Sequence, residues 1–401
     1  MNVLFISPQP FFEERGTPIA VLEIIRALTS FGHRVDLYTY PIGKDVTLDG
    51  VRIIRSPKVP FIKKVKPGPS YGKALLDILL FLRIAFSLFG KRYDVIHAVE
   101  ESAFFGVLLS KALGIPLIYD MDSSIPAQIA YTGFAKNSFI LKFAGSMERW
   151  AIKNSAIIIT VCSALTDIVK KGFPDKPVVQ IEDLPLSCGN LVVSDETIAR
   201  VKKDLAIDNN VVIVYTGNFE GYQGIDLLVG AIAHVVKEID NVRFLLVGGE
   251  EKQVEEYREK VKDLGLRDKV VFTGKRPLED MPLYMGIADI LVSPRIEGTN
   301  TPLKIYTYLK SGKPVVATNL LTHTQVLNND VAVLAEADPE SFAKGIIKLV
   351  RDKKMREEFG RKGASYVDGI TNQKRFYEKV ADVYGYIERL RHEAQPGGMK
   401  K

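Results

Sequence analysis

Residues 293–319, SPRIEGTNTPLKIYTYLKSGKPVVATN, gather more reactive side chains than any other stretch of this chain. An apolar run ends at Ser293-Pro294, and a loop follows carrying Arg295, Glu297, Gly298, Thr299 and Asn300. A helical pattern opens near Pro302 and brings in Lys304. Cations and backbone amides are donors for phosphate oxygens, and a carboxylate is an acceptor for hydroxyls, so the set suits a sugar phosphate. Two glycine-containing segments have related chemistry. YTGNFEGYQGIDLL places Gly217, Gly221 and Gly224 between a strand and a helix, where backbone can approach a ligand closely. PQPFFEERGTPIAV offers Gly16 for a tight turn, Thr17 as N-cap and Pro18 at the first helical position. A helix N-terminus of that kind is a potential anion site. Neither segment reads GxGxxG, which weighs against a dehydrogenase.

These segments need strands to hold them. Short β-branched runs alternate with helical patterns along the chain, the signature of parallel sheets built from βαβ units. Strands are expected at 3–7, 34–38, 51–55, 94–98, 116–119, 156–161 and 177–180. The rhythm then restarts at 211–216, 243–247, 269–273, 288–292, 314–317 and 331–334. Helices fall between them, one burying Leu22, Ile25 and Leu28, another Leu228, Ile232 and Val235. Residues 182–195 lack a period and read as a linker, and 372–393 as one long charged amphipathic helix. The fold class is α/β, with two doubly wound Rossmann-like domains facing a central cleft. Residues 1–185 form the acceptor side and 186–371 the donor domain, and the 372–401 helix packs back toward the first domain. Ligands in such sheets sit at the carboxyl ends of strands, where the three segments lie.

Composition narrows the class. The 401 residues suit two domains, 46% are hydrophobic and 25% charged, and the net charge is only +6. That charge calls for no nucleic acid. Cys162 and Cys188 have no disulfide or metal-ligand pattern, and five scattered histidines announce no metal. No signal peptide is expected at the start, which fits a cytoplasmic protein.

On these residues the chain resembles glycosyltransferase family 4, retaining enzymes of the GT-B fold, over essentially its whole length. The specific part is 293–319; GHRVDLYTY and SGKPVVATN match more generally. The resemblance implies a nucleotide-sugar donor, a glycan or lipid-linked acceptor and no cofactor or metal. Glu297 looks like the family glutamate that holds donor sugar hydroxyls. Where the family carries a second glutamate, for the ribose, this chain has Thr307. The family's Gly-Arg and Lys-Gly cations for the donor diphosphate are replaced by Asn218 and Gln223, and Arg295 and Lys304 are candidates to replace them. Asp122 falls where the family has a histidine near the reacting centre. Asp120-x-Asp122 is similar to the metal motif of a different glycosyltransferase fold, but its expected role is polar contact. His97, Glu100 and Glu101, at the end of VIHAVEE, are expected on the acceptor side.

The implied reaction keeps the anomeric configuration. The nucleoside diphosphate departs, countered by the Gly16 helix end, the 298–300 amides, Arg295 and Lys304. The acceptor oxygen attacks from the same face, and the departing phosphate takes its proton. Rival readings on the same scaffold are a non-catalytic sugar- or nucleotide-binding protein, a nucleotide-sugar epimerase and a phosphorylase; no lysine is singled out for the phosphorylase's pyridoxal phosphate. Finally, KVPFIKKVKPGPSYGKALLDILLFLRIAFSLFGKR joins lysines to a very apolar helix. It reads either as a core helix behind a basic loop or as an interfacial helix on an anionic membrane, at its inner face.

Overall fold

The computed structural model describes residues 1–65, 68, 70–88, 90–131, 138–186 and 193–394. The chain divides into two compact units, Met1–Asp183 with Gln373–Lys401, and Leu184–Asn372.

Unit 1 runs β1 (Asn2–Ser7), α1 (Gly16–Ser30), β2 (Arg34–Thr39), β3 (Val51–Arg55), α2 (Tyr71–Ser87), β4 (Val95–Val99) and α3 (Ser102–Leu113). It continues with β5 (Leu117–Met121), α4 (Ile125–Tyr131), α5 (Ser138–Asn154), β6 (Ile157–Thr160), α6 (Ser163–Gly172) and β7 (Val178–Gln180). The sheet has 7 strands in the order β3-β2-β1-β4-β5-β6-β7. Its paired strands are parallel, with Val3 opposite Val95 and Val99 opposite Asp120 among the registers. Strands β4 and β5 are buried throughout, as central strands covered by helices on both faces are, with the polar side chains of His97 and Asp120 among them.

Unit 2 runs α7 (Asp195–Asp204), β8 (Val211–Thr216), α8 (Ile225–Glu238), β9 (Val242–Val247), α9 (Glu251–Asp263) and β10 (Val270–Gly274). It continues with α10 (Met281–Ile287), β11 (Ile290–Ser293), α11 (Leu303–Lys310), β12 (Val315–Thr318), α12 (Leu321–Thr324), β13 (Val333–Ala335), α13 (Pro339–Arg351) and α14 (Lys353–Ile370). Its sheet has 6 strands in the order β10-β9-β8-β11-β12-β13. The last helix, α15 (Gln373–Ala394), belongs to unit 1. It docks through Tyr384, whose hydroxyl meets His97 Nδ1 at 2.9 Å, and through an Arg391–Asp94 ion pair at 2.5 Å.

Small differences from the sequence expectation have local causes. The strand expected from 331 begins at Val333, because the Val331 and Ala332 amides close a turn onto the Asn328 carbonyl. Helix α1 begins at Gly16 with Arg15 as its N-cap, so Thr17 lies inside the first turn and caps nothing. Its buried face includes Val21, Ile24, Ile25 and Leu28, with Leu22 only half-buried. The linker's centre, 187–192 with Cys188, lies outside the described residues. Helix α2 starts at Tyr71 on a Ser70 cap that accepts from the Lys73 amide at 3.2 Å; Phe89 lies outside the described residues.

Candidate active site

Each sheet has one place where strand order reverses, and there the adjoining loops part to leave a crevice at the strands' carboxyl ends. In unit 1 it falls between β1 and β4, and in unit 2 between β8 and β11.

The unit 2 crevice joins the 217–224 loop to the 294–302 loop. The Ile296 amide donates to the Tyr222 carbonyl at 3.0 Å. Gly224 is left-handed at φ 72°, and a Cβ there would lie 2.0 Å from the Pro294 carbonyl oxygen, so only glycine permits the approach. Arg295 is 5% exposed. Its Nε donates to the Glu297 carbonyl at 2.6 Å and its Nη2 to Asn300 Oδ1 at 2.9 Å. The guanidinium lies 5.3 Å from the Tyr222 ring centroid. Gly298, at φ 121°, leaves it room: a Cβ would come within 2.0 Å of Arg295 Nη2.

Lys304, in the first turn of α11, reaches the same crevice. Its Nζ donates to Gln223 Oε1 at 2.9 Å and to the Thr216 carbonyl at 3.2 Å, and sits 4.1 Å from the Tyr215 ring centroid. No carboxylate among the described residues forms an ion pair with it. Burial, and then the charge of Arg295, hold its ammonium well below the ordinary lysine range. Two cations thus share one place, where the charge of Arg295 weighs against that of Lys304, an arrangement that an anionic ligand relieves. Glu297 projects into solvent, and its carboxylate has no hydrogen bond or ion pair among the described residues. Asn218 stays in its own loop, where its Oδ1 accepts from the Glu220 amide at 3.2 Å. Thr307 accepts from the Leu186 amide at 3.0 Å, so its hydroxyl is already engaged. The Thr299 and Asn300 carbonyls are pinned by Gln325 and Thr322 at 2.9 and 2.8 Å.

Sequence reasoning missed the support beneath this loop. His323 is fully buried and neutral, its pKa pushed down to about 3 by burial. Its Nδ1 meets the Thr318 carbonyl at 3.0 Å, which requires the proton on that nitrogen. Nε2 therefore accepts from the Ser293 hydroxyl at 2.8 Å. Thr318 Oγ1 in turn donates to the Arg295 carbonyl at 2.5 Å. A lone histidine in TNLLTHTQVL has no spacing signal. Tyr308, whose hydroxyl takes the Thr216 amide at 2.8 Å, was equally invisible.

The unit 1 crevice is acidic. Glu100, 7% exposed, holds a left-handed backbone at φ 50° just past β4. Its Oε1 accepts from Ser123 at 3.0 Å and Gln128 at 3.2 Å. Glu101 Oε1 lies 2.6 Å from Lys73 Nζ, and Glu100 Oε2 lies 4.0 Å from it. Burial and neighbouring carboxylates, Asp120, Glu100 and Asp183, raise the Asp122 pKa well above the carboxylate range; a hydrogen bond from the Thr17 side chain opposes them. The group beside the first turn of α1 is therefore the protein's own carboxyl. His97, expected on the acceptor side, lies beneath the crevice. It is wholly buried, stacked on Phe5 with centroids 4.1 Å apart, and Nε2 meets Asp120 Oδ2 at 3.2 Å. Its ring therefore faces Asp120, Phe5 and Tyr384 rather than open space. Among the described residues no cluster of three or more His, Cys, Asp or Glu could hold a metal ion.

Two doubly wound units of this kind define the GT-B glycosyltransferase fold. Sucrose-phosphate synthase from Thermosynechococcus elongatus superposes with a TM-score of 0.78 at 20% identity, over 98% of this chain and 100% of that one. HepE from Anabaena, solved with UDP-glucose, gives 0.73 at 16% identity, over 96% and 99%. The family follows from sequence. Residues 15–182 match the model described as Glycosyltransferase Family 4, and 197–366 that described as Glycosyl transferases group 1. The phosphatidyl-myo-inositol mannosyltransferase of Mycobacterium leprae is 28% identical over 391 residues, 95% of this chain and 97% of that one. The chain belongs to glycosyltransferase family 4 and is a glycosyltransferase that transfers a sugar from a nucleotide-sugar donor.

Proposed function

We propose that the chain is a retaining hexosyltransferase that acts on a glycan or lipid-linked acceptor and holds its donor diphosphate with Arg295 and Lys304. The carrying observation is the 2.9 Å bond from Lys304 Nζ to Gln223. The ammonium stands at the position where the resemblance expects a cation from residue 223, so the charge is kept although the residue that bears it has moved. Two cations match the two negative charges of a bridging diphosphate, and Glu297 is free to accept from sugar hydroxyls. As the donor's anomeric C–O bond breaks, its electron pair passes to the diphosphate. The acceptor oxygen bonds on the same face and its proton goes to a departing phosphate oxygen. No side chain needs to act as base in this scheme.

The acceptor end of the reading includes a membrane surface. Helix α2 buries Leu76, Leu80 and Ile84 yet exposes Tyr71, Ile78, Leu82 and Phe86 along its other side. Phe61 and Lys63 are exposed just before it; Lys66 lies outside the described residues. That is interfacial-helix chemistry, and no helix among the described residues is long and apolar enough to cross a membrane. Flotation with anionic and neutral vesicles tests it. Preferential recovery on the anionic ones is expected, and equal recovery or none leaves α2 without that role. The chemistry is tested by incubating the full chain with labelled nucleotide sugars and acceptors and reading the product's anomeric proton by NMR. An unchanged anomer is expected. An inverted anomer ends the retaining mechanism, and nucleotide binding with no transfer to any acceptor leaves only a binding protein.

A further inference from the structure

Unit 1 assembles carboxyl groups where a ligand would enter, and the cations near them among the described residues are already paired. Asp120 ends β5 with Met121, and Asp122, Asp183, Glu100 and Glu101 follow β5, β7 and β4, at the same end of the sheet as the β1–β4 crevice. Burial and the charges of Asp120 and Glu182 raise Asp183 to about 7. Burial is likewise the largest influence raising Glu100, against the opposing charge of Lys73. Lys73 is held above the usual lysine range because the charges of Glu101, Glu100 and Asp77 outweigh its burial, so its charge is already answered. Arg15 pairs with Glu13 at 3.0 Å, and Lys44 pairs with Glu14. Asp120 is the least answered of these carboxylates. It is 2% exposed; His97 holds its Oδ2, but its Oδ1 has no hydrogen-bond partner. A buried carboxylate oxygen lacking a donor is costly unless a ligand supplies one, and a hydroxyl or ammonium does so.

We infer that the unit 1 crevice takes the reacting end of an acceptor that is hydroxyl-rich and carries no phosphate or carboxylate, with Asp120, Asp122, Glu100 and Glu101 selecting against anionic acceptors. Carboxylates accept hydrogen bonds from vicinal hydroxyls, and an anionic ligand would bring a further like charge into a region already short of countercharge. The inference deepens the transferase reading and rests on it: any phosphate in a lipid-linked acceptor must then lie away from the hydroxyl that receives the sugar.

The test uses the full chain with its unit 2 crevice first saturated by inorganic pyrophosphate, so that Arg295 and Lys304 cannot capture a sugar phosphate. Saturation-transfer NMR then compares methyl glycosides of common hexoses with the corresponding hexose 6-phosphates. The neutral glycosides are expected to bind at least about tenfold better than the phosphates, a like charge at such a site disfavouring binding by at least that factor. Asp120→Asn and Glu101→Gln, which keep side-chain shape while removing charge, should each bring the phosphates to within about threefold of the neutral glycosides. Equal binding of both classes by the wild type, or binding of neither, overturns the inference. So does unchanged discrimination in both variants while their circular dichroism spectra match the wild type. Failure of the transferase reading is seen separately, as absence of turnover of every labelled donor.

Discussion

The two units share a topology and differ in charge where it matters. Both sheets reverse strand order once, and both place their reactive side chains at that reversal. In unit 2 that region holds a buried arginine on a loop and, on the helix that follows, a lysine that burial makes less basic; in unit 1 it holds carboxyls that burial makes less acidic. Each crevice therefore holds groups whose charged form costs free energy without a ligand. A diphosphate relieves the first, and hydroxyl donors relieve the second. The fold supplies the place, and the loops decide what binds there.

The sharpest way to break this comparison is to remove the unit 2 cations. Lys304→Ala should lower kcat/KM by about 10²–10³, the usual effect of deleting a buried electrostatic stabiliser of a leaving group. Arg295→Ala should do similar damage and also loosen the loop, since Arg295 ties down Glu297 and Asn300. The double variant should fall short of the product of the two effects, because both side chains touch one diphosphate. Steady-state kinetics on the three variants decides this. Single variants that stay folded and within about threefold of wild type would mean that the diphosphate is held elsewhere.

Glu297→Ala comes next. A charged hydrogen bond to a sugar hydroxyl is worth roughly 1.5–3 kcal/mol, or about 10- to 150-fold in rate. The side chain is exposed, so thermal stability should stay within about 0.5 kcal/mol of wild type. Unchanged activity removes the residue from the site. A smaller effect, about tenfold on donor KM with a lesser change in kcat, is expected of Gly298→Ala, which pushes the Arg295 guanidinium aside without removing it. Parallel loss of stability and activity in this variant would point to general damage to the loop instead.

How much of this was legible beforehand follows the physics of each feature. Strands such as β1, β4 and β8 are runs of apolar β-branched residues, which only a covered parallel sheet explains, so their positions were readable. The 293–319 segment was readable because arginine, glutamate, glycine and lysine cluster there within ten residues. The surroundings of His97 were not readable, since its place at a strand end says nothing about the Phe5 ring and the α15 tyrosine that enclose it. The Ser293–His323–Thr318 support and the Asp122–Asp183 proximity join residues distant in sequence, and no local period records such a meeting. The cap expected of Thr17 failed because its side chain serves Asp122.

The smallest effect sharpens the comparison most, because it reads the buried charge itself. Lys304 has a folded pKa well below 10.5, lowered by burial first and by Arg295 second. In the free protein its proton is lost as pH rises through that lowered value, whereas the unfolded chain keeps the proton until near 10.5. Between those two values the unfolded state binds more protons, so the lysine's contribution to stability rises with pH. Donor affinity must move the opposite way. A diphosphate favours the charged ammonium, so above the lowered value binding takes up a proton and weakens with pH, at most about tenfold per unit. Calorimetric titration of a nucleoside diphosphate in buffers of different ionisation enthalpy measures both affinity and proton uptake. Working above pH ~7.5 avoids the terminal phosphate's own ionisation near pH ~6. Lys304→Gln should flatten the slope and abolish the uptake. If the wild type shows neither slope nor uptake up to pH ~10, the ammonium does not meet the diphosphate, and the contrast between a cationic and an acidic crevice loses its functional meaning in unit 2.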